Sequence, residues 1–264
     1  MASSNAAKSA SRREQLRAAR EREAAAARRK RITVVAVAVV VAAVLVAVIA
    51  MAAGGVFGKR SGGSGATSTV VSVRPPHASP GDKGVFSADN VNDSAPVLTV
   101  IDDFQCPICH TYETVFGPVF ESLAKKGETR LEYRTRYFLD INLKNDSSVR
   151  AARAAAIADT FGKYQEYHDT VFSNQPAKEG TGYTDDQLRN AFPQAAGITG
   201  DDLAKFQSSY DKGEMNAFVD AVDRQAQADG YNGTPTFLAN DRKIDMPRKT
   251  NPTEDDIMKL VRRV

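Results

Sequence analysis

The chain has 264 residues, with 35 Lys and Arg, 32 Asp and Glu, a net charge of +3, three histidines and only two cysteines. Ten of the basic residues lie in residues 1–31, where the net charge is +7, so residues 32–264 carry a net charge of −4. Because the excess of basic over acidic residues is confined to a terminal tail, the composition does not favour a nucleic-acid-binding protein. Two cysteines also exclude a zinc site built from two Cys-x-x-Cys pairs.

An uncharged segment follows the basic tail. Residues 32–53 are rich in Val and Ala and, as a helix, would cross the roughly 30 Å hydrocarbon layer of a membrane. Basic residues lie mainly before this segment, so residues 1–31 are predicted to be cytoplasmic and the rest extracytoplasmic. A cleaved signal peptide is the alternative, since Ala50-Met51-Ala52 resembles a cleavage site, but signal-peptide apolar cores run to roughly 7–15 residues. We therefore predict an uncleaved, single-pass membrane anchor.

Residues 54–83 are rich in Gly, Ser and Pro and are predicted to form a flexible linker. The remaining residues, 84–264, are numerous enough for one domain with a buried core. Within it, residues 84–89 predict a short edge strand, and the β-branched, apolar run over residues 96–101 predicts a buried strand.

Both cysteines lie in the motif Cys106-Pro107-Ile108-Cys109, between the buried strand and an amphipathic helical pattern that is expected to end near Gly127. Cys106 is therefore predicted at a helix N-terminus, with Pro107 in the first helical position. Unpaired backbone N–H groups and the helix dipole would stabilise a thiolate there. A purely structural disulfide closing so short a loop would add little stability. The motif thus predicts thiol-disulfide chemistry.

Two histidines receive different interpretations. His110 follows the motif in the first turn of the helix, where a protonated ring would favour the Cys106 thiolate; a merely solvent-facing side chain is the alternative. His168 lies on the apolar face of a later helix and is predicted to be a hydrogen-bonded core residue. A metal at the cysteines would need two further ligands. We therefore predict no metal and no cofactor.

The second half of the domain changes from strand to helix periodicity and back. Residues 130–139 alternate polar and apolar side chains and predict a second strand. Several helical patterns follow and form a block between two groups of strands; the pattern over residues 184–196 is the weakest because it contains Pro193.

The C-terminal region contains the second informative motif, Gly233-Thr234-Pro235-Thr236-Phe237. A strand is predicted from Thr236, with Pro235 at its start, where a strand tolerates proline. Further on, Asn251-Pro252-Thr253-Glu254 predicts the start of the last helix, with Asn251 as N-cap and Glu254 in a capping box.

The Cys-x-x-Cys motif, the helical block and the distant Thr-Pro motif together resemble the DsbA-like branch of the thioredoxin superfamily over residues 84–264. The resemblance implies an α/β, thioredoxin-like fold, with a central mixed sheet flanked by helices and a helical subdomain inserted at about residues 145–229. Together with the N-terminal segment, the predicted architecture is one transmembrane helix followed by this α/β domain.

The resemblance also implies site residues. Cys106 and Cys109 would be catalytic, while Thr234 and Pro235, joined by a cis peptide bond, would bind the substrate backbone beside them. Pro107, Ile108 and His110 would tune the active site. Many relatives carry an acidic residue six positions before the first cysteine, where this chain has Val100. Asp102 and Asp103 lie nearer the motif and are candidates to replace it.

The predicted function is that of an extracytoplasmic protein thiol-disulfide oxidoreductase that forms disulfides in exported proteins and exchanges electrons with a membrane redox partner. Two alternatives stay open. One is a disulfide reductase or isomerase that serves a dedicated client protein. The other is a membrane-tethered interaction module that keeps the thioredoxin fold but does not use the cysteines.

Overall fold

The computed structural model of the protein describes residues 73–264. The predicted basic tail and membrane anchor, residues 1–53, lie outside the described residues. Within residues 73–264, none of the helices combines the length and the apolar composition that a membrane span needs.

The folded domain begins earlier than the predicted residue 84. Ala78 forms a β-bridge with Val85, and Ser79 is almost completely buried. The His77 backbone N–H donates to the buried Asp159 carboxylate, and the His77 ring lies 2.8 Å from the same group. Pro80 and Gly81, which contributed to the linker prediction, lie in a turn in which Gly81 has a φ of 77°. The last part of the predicted linker therefore packs against the domain.

Five strands form one mixed sheet in the order β1-β3-β2-β4-β5. Strand β2 is parallel to β3, while the β1–β3, β2–β4 and β4–β5 pairs are antiparallel. Strand β2 is central and buried, as its apolar and β-branched sequence predicts. The predicted α/β fold with a mixed sheet is confirmed. The strands are β1 (Val85–Phe86), β2 (Val97–Asp103), β3 (Arg130–Arg136), β4 (Thr236–Ala239) and β5 (Arg242–Ile244).

Helix α1 (Pro107–Lys125) follows β2 directly, and Gly127, with a φ of 69°, ends the turn after it. A helical block then separates β3 from β4, and a final helix, α8 (Glu254–Val261), packs near α1. The block consists of α2 (Leu139–Leu143), α3 (Ser147–Ala158), a short turn at Asp159–Phe161, α4 (Tyr164–Ser173), a wide helical turn at Gln187–Ala191 leading into α5 (Phe192–Ala195), α6 (Gly200–Lys212) and α7 (Asn216–Ala228).

Strand β3 ends at Arg136, before the predicted end at residue 139. The reason is a buried carboxylate: the Leu139 N–H donates to Asp103 Oδ2 at 3.2 Å, which helps to turn the chain away from the sheet into α2. The segment with the weakest helical pattern contains the wide turn, and Pro193 lies at the start of the regular helix that follows.

Aromatic packing around His168 joins the helical block to the sheet. The His168 ring lies 4.2 Å from the Tyr133 ring on β3 and 5.3 Å from the Phe104 ring after β2. His168 is fully buried, and its Nε2 is 2.7 Å from Asp102 Oδ2. The prediction of a hydrogen-bonded core histidine is therefore confirmed.

The N-terminus of the last helix differs from the prediction. Thr253, not Asn251, is the N-cap: its side chain accepts a hydrogen bond from the Asp256 N–H, and the Asp256 carboxylate accepts one from the Thr253 N–H. Asp256 therefore completes the capping box in place of Glu254, whose carboxylate accepts a hydrogen bond from Ser122 on α1 instead. The local sequence allows either Asn251 or Thr253 as the N-cap. The structure has Thr253 in this role, with Glu254 bound to Ser122 on α1.

Replacing Thr253 by Ala should lower the free energy of unfolding by about 1 kcal/mol, because the Asp256 N–H loses its acceptor. Asn251→Ala is the control and should change it little, since Asn251 does not cap the helix. Chemical denaturation of both variants measures the difference. A larger loss for Asn251→Ala would contradict the structural assignment.

Candidate active site

Cys106 lies where the central strand passes into α1. It is the N-cap of that helix, with extended backbone angles (φ −77°, ψ 115°), and Pro107 is the first helical residue. The Cys109 N–H points to Cys106 Sγ at 3.4 Å. Both cysteines are largely buried and reduced, with Cys106 6% and Cys109 2% exposed. The predicted position at a helix N-terminus is confirmed.

The pKa values of the two thiols are shifted in opposite directions. A hydrogen bond from the Cys109 side chain lowers the pKa of Cys106 to about 6, against the effect of burial and with further help from Thr234 and from the N–H groups of Cys109 and Ile108. Burial raises the pKa of Cys109 well above its ordinary value, and the hydrogen bond to Cys106 and the charge of Asp102 raise it further. Near neutral pH the site therefore holds a Cys106 thiolate next to a Cys109 thiol.

The distant Thr-Pro motif lies against Cys106. The Thr234–Pro235 peptide bond is cis, and the Cys106 thiol can donate to the Thr234 carbonyl oxygen at 3.6 Å. The structure thus brings together Cys106, Cys109, Thr234 and Pro235, as the resemblance implied. Thr236 begins β4, so this part of the site is held by the strand next to β2.

The three predicted tuning residues lie in different surroundings. Pro107 and Ile108 are exposed between the cysteines, and the Ile108 side chain is 59% exposed. The His110 ring is partly buried. Its Nδ1–H donates a hydrogen bond to the Phe172 carbonyl oxygen, in the helical block, at 2.8 Å. The groups that lower the pKa of Cys106 most are Cys109 and Thr234. A tuning role for His110 therefore stays a prediction.

A buried polar network fixes the turn between β2 and α1, and sequence reasoning did not identify it. The Gln105 Nε2 atom, which carries two hydrogens, lies within hydrogen-bond distance of three acceptors in or beside the helical block: Asp140 Oδ1 at 2.7 Å, Asn145 Oδ1 at 2.9 Å and Ser148 Oγ at 2.9 Å. Asp103 accepts hydrogen bonds from the Gln105 N–H and from Ser148 Oγ. Burial raises the pKa of Asp103 to about 7. The network connects residues far apart in sequence, so only their polar character in an apolar region signals it.

Two further side chains hold backbone carbonyls of the same turn. Gln175 Nε2 donates to the carbonyl oxygens of Phe104 and Cys106, at 2.8 and 3.1 Å. The Tyr183 hydroxyl donates to the Phe104 carbonyl oxygen at 2.8 Å. These contacts give Gln175 a structural role in the turn that carries Cys106.

The missing acidic residue is partly compensated. Val100, on β2, is buried and apolar. Asp102, two residues further along the same face of the strand, is 1% exposed, and its charge helps to raise the pKa of Cys109. Its Oδ2 pairs with His168, and its Oδ1 has no hydrogen-bond partner among the described residues. A negative charge therefore lies near the buried thiol, although not at the position that many relatives use.

A groove lies beside the motif and the cis proline. It runs between the exposed side of α1 and strands β4 and β5, and its lining combines apolar side chains with the charged Lys243, Asp245 and Arg248. An extended peptide laid in it would approach the carbonyl and cis bond of the Thr-Pro motif. The lining includes Ile108, Tyr112, Pro235, Phe237, Ile244 and Met246.

Comparison with known proteins gives one family and several similar folds. The family model described as thioredoxin matches residues 92–261. The reduced DsbA of Mycobacterium tuberculosis is 26% identical, with a TM-score of 0.53, over 62% of this chain and 86% of that one. A reduced disulfide bond oxidoreductase, DsbG, from the same organism is 27% identical, with a TM-score of 0.53, over 64% and 83%.

A thiol-disulfide oxidoreductase of Actinomyces oris, MdbA, is 19% identical, with a TM-score of 0.57, over 70% of this chain and 89% of that one, and supports the fold alone. No sequence among the curated proteins matches the chain.

Replacing Cys109 by Ala should raise the pKa of Cys106 from about 6 toward the value of roughly 8.5 for a free thiol, because the thiolate loses its strongest hydrogen-bond donor. The pH dependence of Cys106 alkylation measures this pKa: the midpoint should move to higher pH, and alkylation near neutral pH should slow. An unchanged midpoint would mean that Cys109 does not stabilise the thiolate.

The same assay tests His110. His110→Ala should raise the midpoint if a protonated ring favours the Cys106 thiolate, and an unchanged midpoint would exclude that role. Thr114→Ala is a suitable control, because Thr114 lies on the exposed side of the same helix.

Proposed function

This chain belongs to the thioredoxin family, and we propose that it is a protein thiol-disulfide oxidoreductase that forms disulfides in exported proteins. The observation that carries the proposal is the unequal pair: a Cys106 thiolate stabilised to a pKa of about 6 beside a Cys109 thiol of raised pKa. Similarity to DsbA and to the disulfide bond oxidoreductase DsbG of Mycobacterium tuberculosis supports the same activity.

In the first step, the Cys106–Cys109 pair is a disulfide and a substrate thiolate attacks Cys106 Sγ. A bond forms between the two sulfurs, the bond between Cys106 and Cys109 breaks, and Cys109 leaves with the electron pair. Because the pKa of Cys109 is raised, the leaving sulfur takes up a proton and becomes a thiol. The product is a mixed disulfide between Cys106 and the substrate.

In the second step, another thiolate of the substrate attacks the substrate sulfur of the mixed disulfide. Cys106 leaves as a thiolate, which its hydrogen bonds stabilise. The substrate gains one disulfide and loses two electrons, which the pair of cysteines now holds as a thiolate and a thiol. A good leaving group at Cys106 favours this direction, since a stabilised reduced form makes the disulfide more oxidising.

The site also offers a way to position the substrate. The cis Thr234–Pro235 bond lies beside Cys106 Sγ, and the groove next to it is open along α1 and β4. An extended substrate segment in this groove would bring its sulfur toward Cys106. Thr234 and Pro235 are therefore substrate-positioning residues in the proposal.

The location is proposed from the sequence. The uncharged segment at residues 32–53 and the basic residues before it support a membrane anchor with the domain on the extracytoplasmic side. In that environment an oxidised pair is retained, and a membrane redox partner would accept the electrons that the pair takes from its substrates.

Cys106→Ser should abolish the oxidation of a dithiol peptide by the full-length protein in detergent, because the first mixed disulfide cannot form. Cys109→Ser should retain attack on a disulfide by Cys106 and accumulate the mixed disulfide, because no second thiol releases the substrate. The two variants are matched, since each replaces one sulfur by oxygen. Activity that survives in Cys106→Ser would refute the proposed site.

The direction is measured by the reduction potential of the pair, equilibrated with glutathione buffers and analysed by thiol alkylation and gel shift. A potential above roughly −150 mV is expected for an oxidase. A potential below roughly −250 mV would instead identify a reductase. Alkylation is the suitable readout because the sequence contains no Trp.

The proposed location predicts labelling by a membrane-impermeant maleimide in intact cells. The chain has two cysteines, and the Cys106 thiolate should react after mild reduction. A cytoplasmic thiol protein should stay unlabelled in the same cells. Labelling of Cys106 only after the cells are permeabilised would contradict an extracytoplasmic domain.

A further inference from the structure

A second cluster of ionisable side chains lies one helical turn beyond Cys109. Glu113 on α1 faces His168 and Asp169 on α4, and one potential ligand atom from each residue lies within 4.8 Å of the other two. Cys109 and Glu113 are separated by one turn and share a face of α1. The sequence predicted no metal in the chain; this cluster is formed by two helices that are far apart in sequence.

His168 is oriented as a metal-binding histidine would be. Its Nε2 lies 2.7 Å from Asp102 Oδ2. Against the effect of burial, the hydrogen bonds to Asp102 and Asp169 raise the pKa of His168 to about 10, so a cation at Nδ1 would displace the proton of that nitrogen while Nε2–H stays bonded to Asp102. The Nδ1 atom is 3.5 Å from Asp169 Oδ1, on the side of the cluster. A carboxylate that binds the far nitrogen of a histidine is a common arrangement at metal sites, because it fixes the ring and its tautomer.

Among residues 73–264, the only basic side chain paired with the carboxylates of this cluster is His168, which lies close to Asp102 and Asp169. Asp102, Glu113 and Asp169 surround one imidazole, and within residues 73–264 none of the three forms an ion pair with Lys or Arg. By contrast, the buried Glu132 carboxylate is 2.7 Å from the Arg134 guanidinium. One imidazolium balances only one of these three carboxylates, and a carboxylate shielded from water requires a compensating charge. A divalent cation would supply it.

A buried amide beside the cluster has an unpaired oxygen. Gln165 is 5% exposed, and its Nε2 donates to Asp169 Oδ1 at 2.8 Å and to the Tyr133 hydroxyl at 2.9 Å. Its Oε1 has no hydrogen-bond partner among the described residues. An unsatisfied buried acceptor is costly, and an amide oxygen can bind a divalent cation directly or through water. The unpaired Gln165 oxygen is a separate observation from the spacing of the three ligands, although the same amide also binds Asp169.

We propose that Glu113, His168 and Asp169 bind one zinc ion, with Asp102 orienting His168. One imidazole nitrogen and two carboxylate oxygens suit zinc, which binds such ligands at roughly 2.0–2.2 Å. Tetrahedral ligands at this distance lie roughly 3.4 Å apart, so small side-chain rotations bring the three atoms onto one ion. The Asp169 side chain is 40% exposed, which gives the ion access from solvent.

The test uses the full-length protein with Cys106→Ser and Cys109→Ser, because thiolates would bind zinc themselves. This double variant lacks the cysteines required for disulfide exchange, so the result does not depend on the proposed function. Competition with a chromophoric zinc chelator measures affinity and stoichiometry. We expect one zinc per chain and a melting temperature that rises with zinc concentration, because the ion binds the folded state. Absence of zinc binding would overturn the proposal.

Single replacements in this background locate the ion. Glu113→Gln and Asp169→Asn preserve the side-chain shapes and should each weaken zinc binding by at least about tenfold, because each removes a charged ligand. Glu121→Gln is the matched control: it lies on the same helix and is partly buried, and the affinity should not change. Unchanged affinity in both cluster variants, or an equal loss in the control, would overturn the assignment.

Discussion

The turn between β2 and α1 is held by a buried polar network, and the geometry of the cysteines depends on it. Asp103 and Gln105 have their hydrogen-bond partners in or beside the helical block, where Ser148 contacts both. Gln175 and Tyr183 bind carbonyl oxygens of the same turn. A buried polar group needs its partners, so the turn and the helical block must fold together. The inserted helices therefore form part of the support of the active site.

The second determinant is the difference between two chemically identical side chains. Cys106 accepts hydrogen bonds from Cys109 and from the first turn of α1, and Thr234 also lowers its pKa, whereas Cys109 is buried and faces the charge of Asp102. Each cysteine also acts on the other, because the Cys109 thiol is the main donor to Cys106. The site works as a coupled pair in which one sulfur accepts the hydrogen bond and the other donates it.

Local patterns predicted much of this arrangement, since the helix start at Cys106 and the strand at Thr236 depend on neighbouring residues. The family resemblance predicted that Pro235 lies beside Cys106. Contacts between distant segments could not be derived in this way: nothing near Gln105 in sequence indicates its partners at Asp140 and Ser148. The choice of Thr253 over Asn251 as the helix cap likewise follows from packing. Sequence patterns identify the elements of this fold, and buried polar contacts decide how they join.

If the proposed function holds, the exposed side chain of Ile108 would affect how long a client protein stays bound. It lies between the two cysteines and leaves more than half of its surface in water. An unfolded client, whose apolar side chains are also in water, gains free energy by covering it. A folded client has buried those side chains within itself and gains less. Affinity would therefore fall as the client folds, which favours unfinished proteins over completed ones.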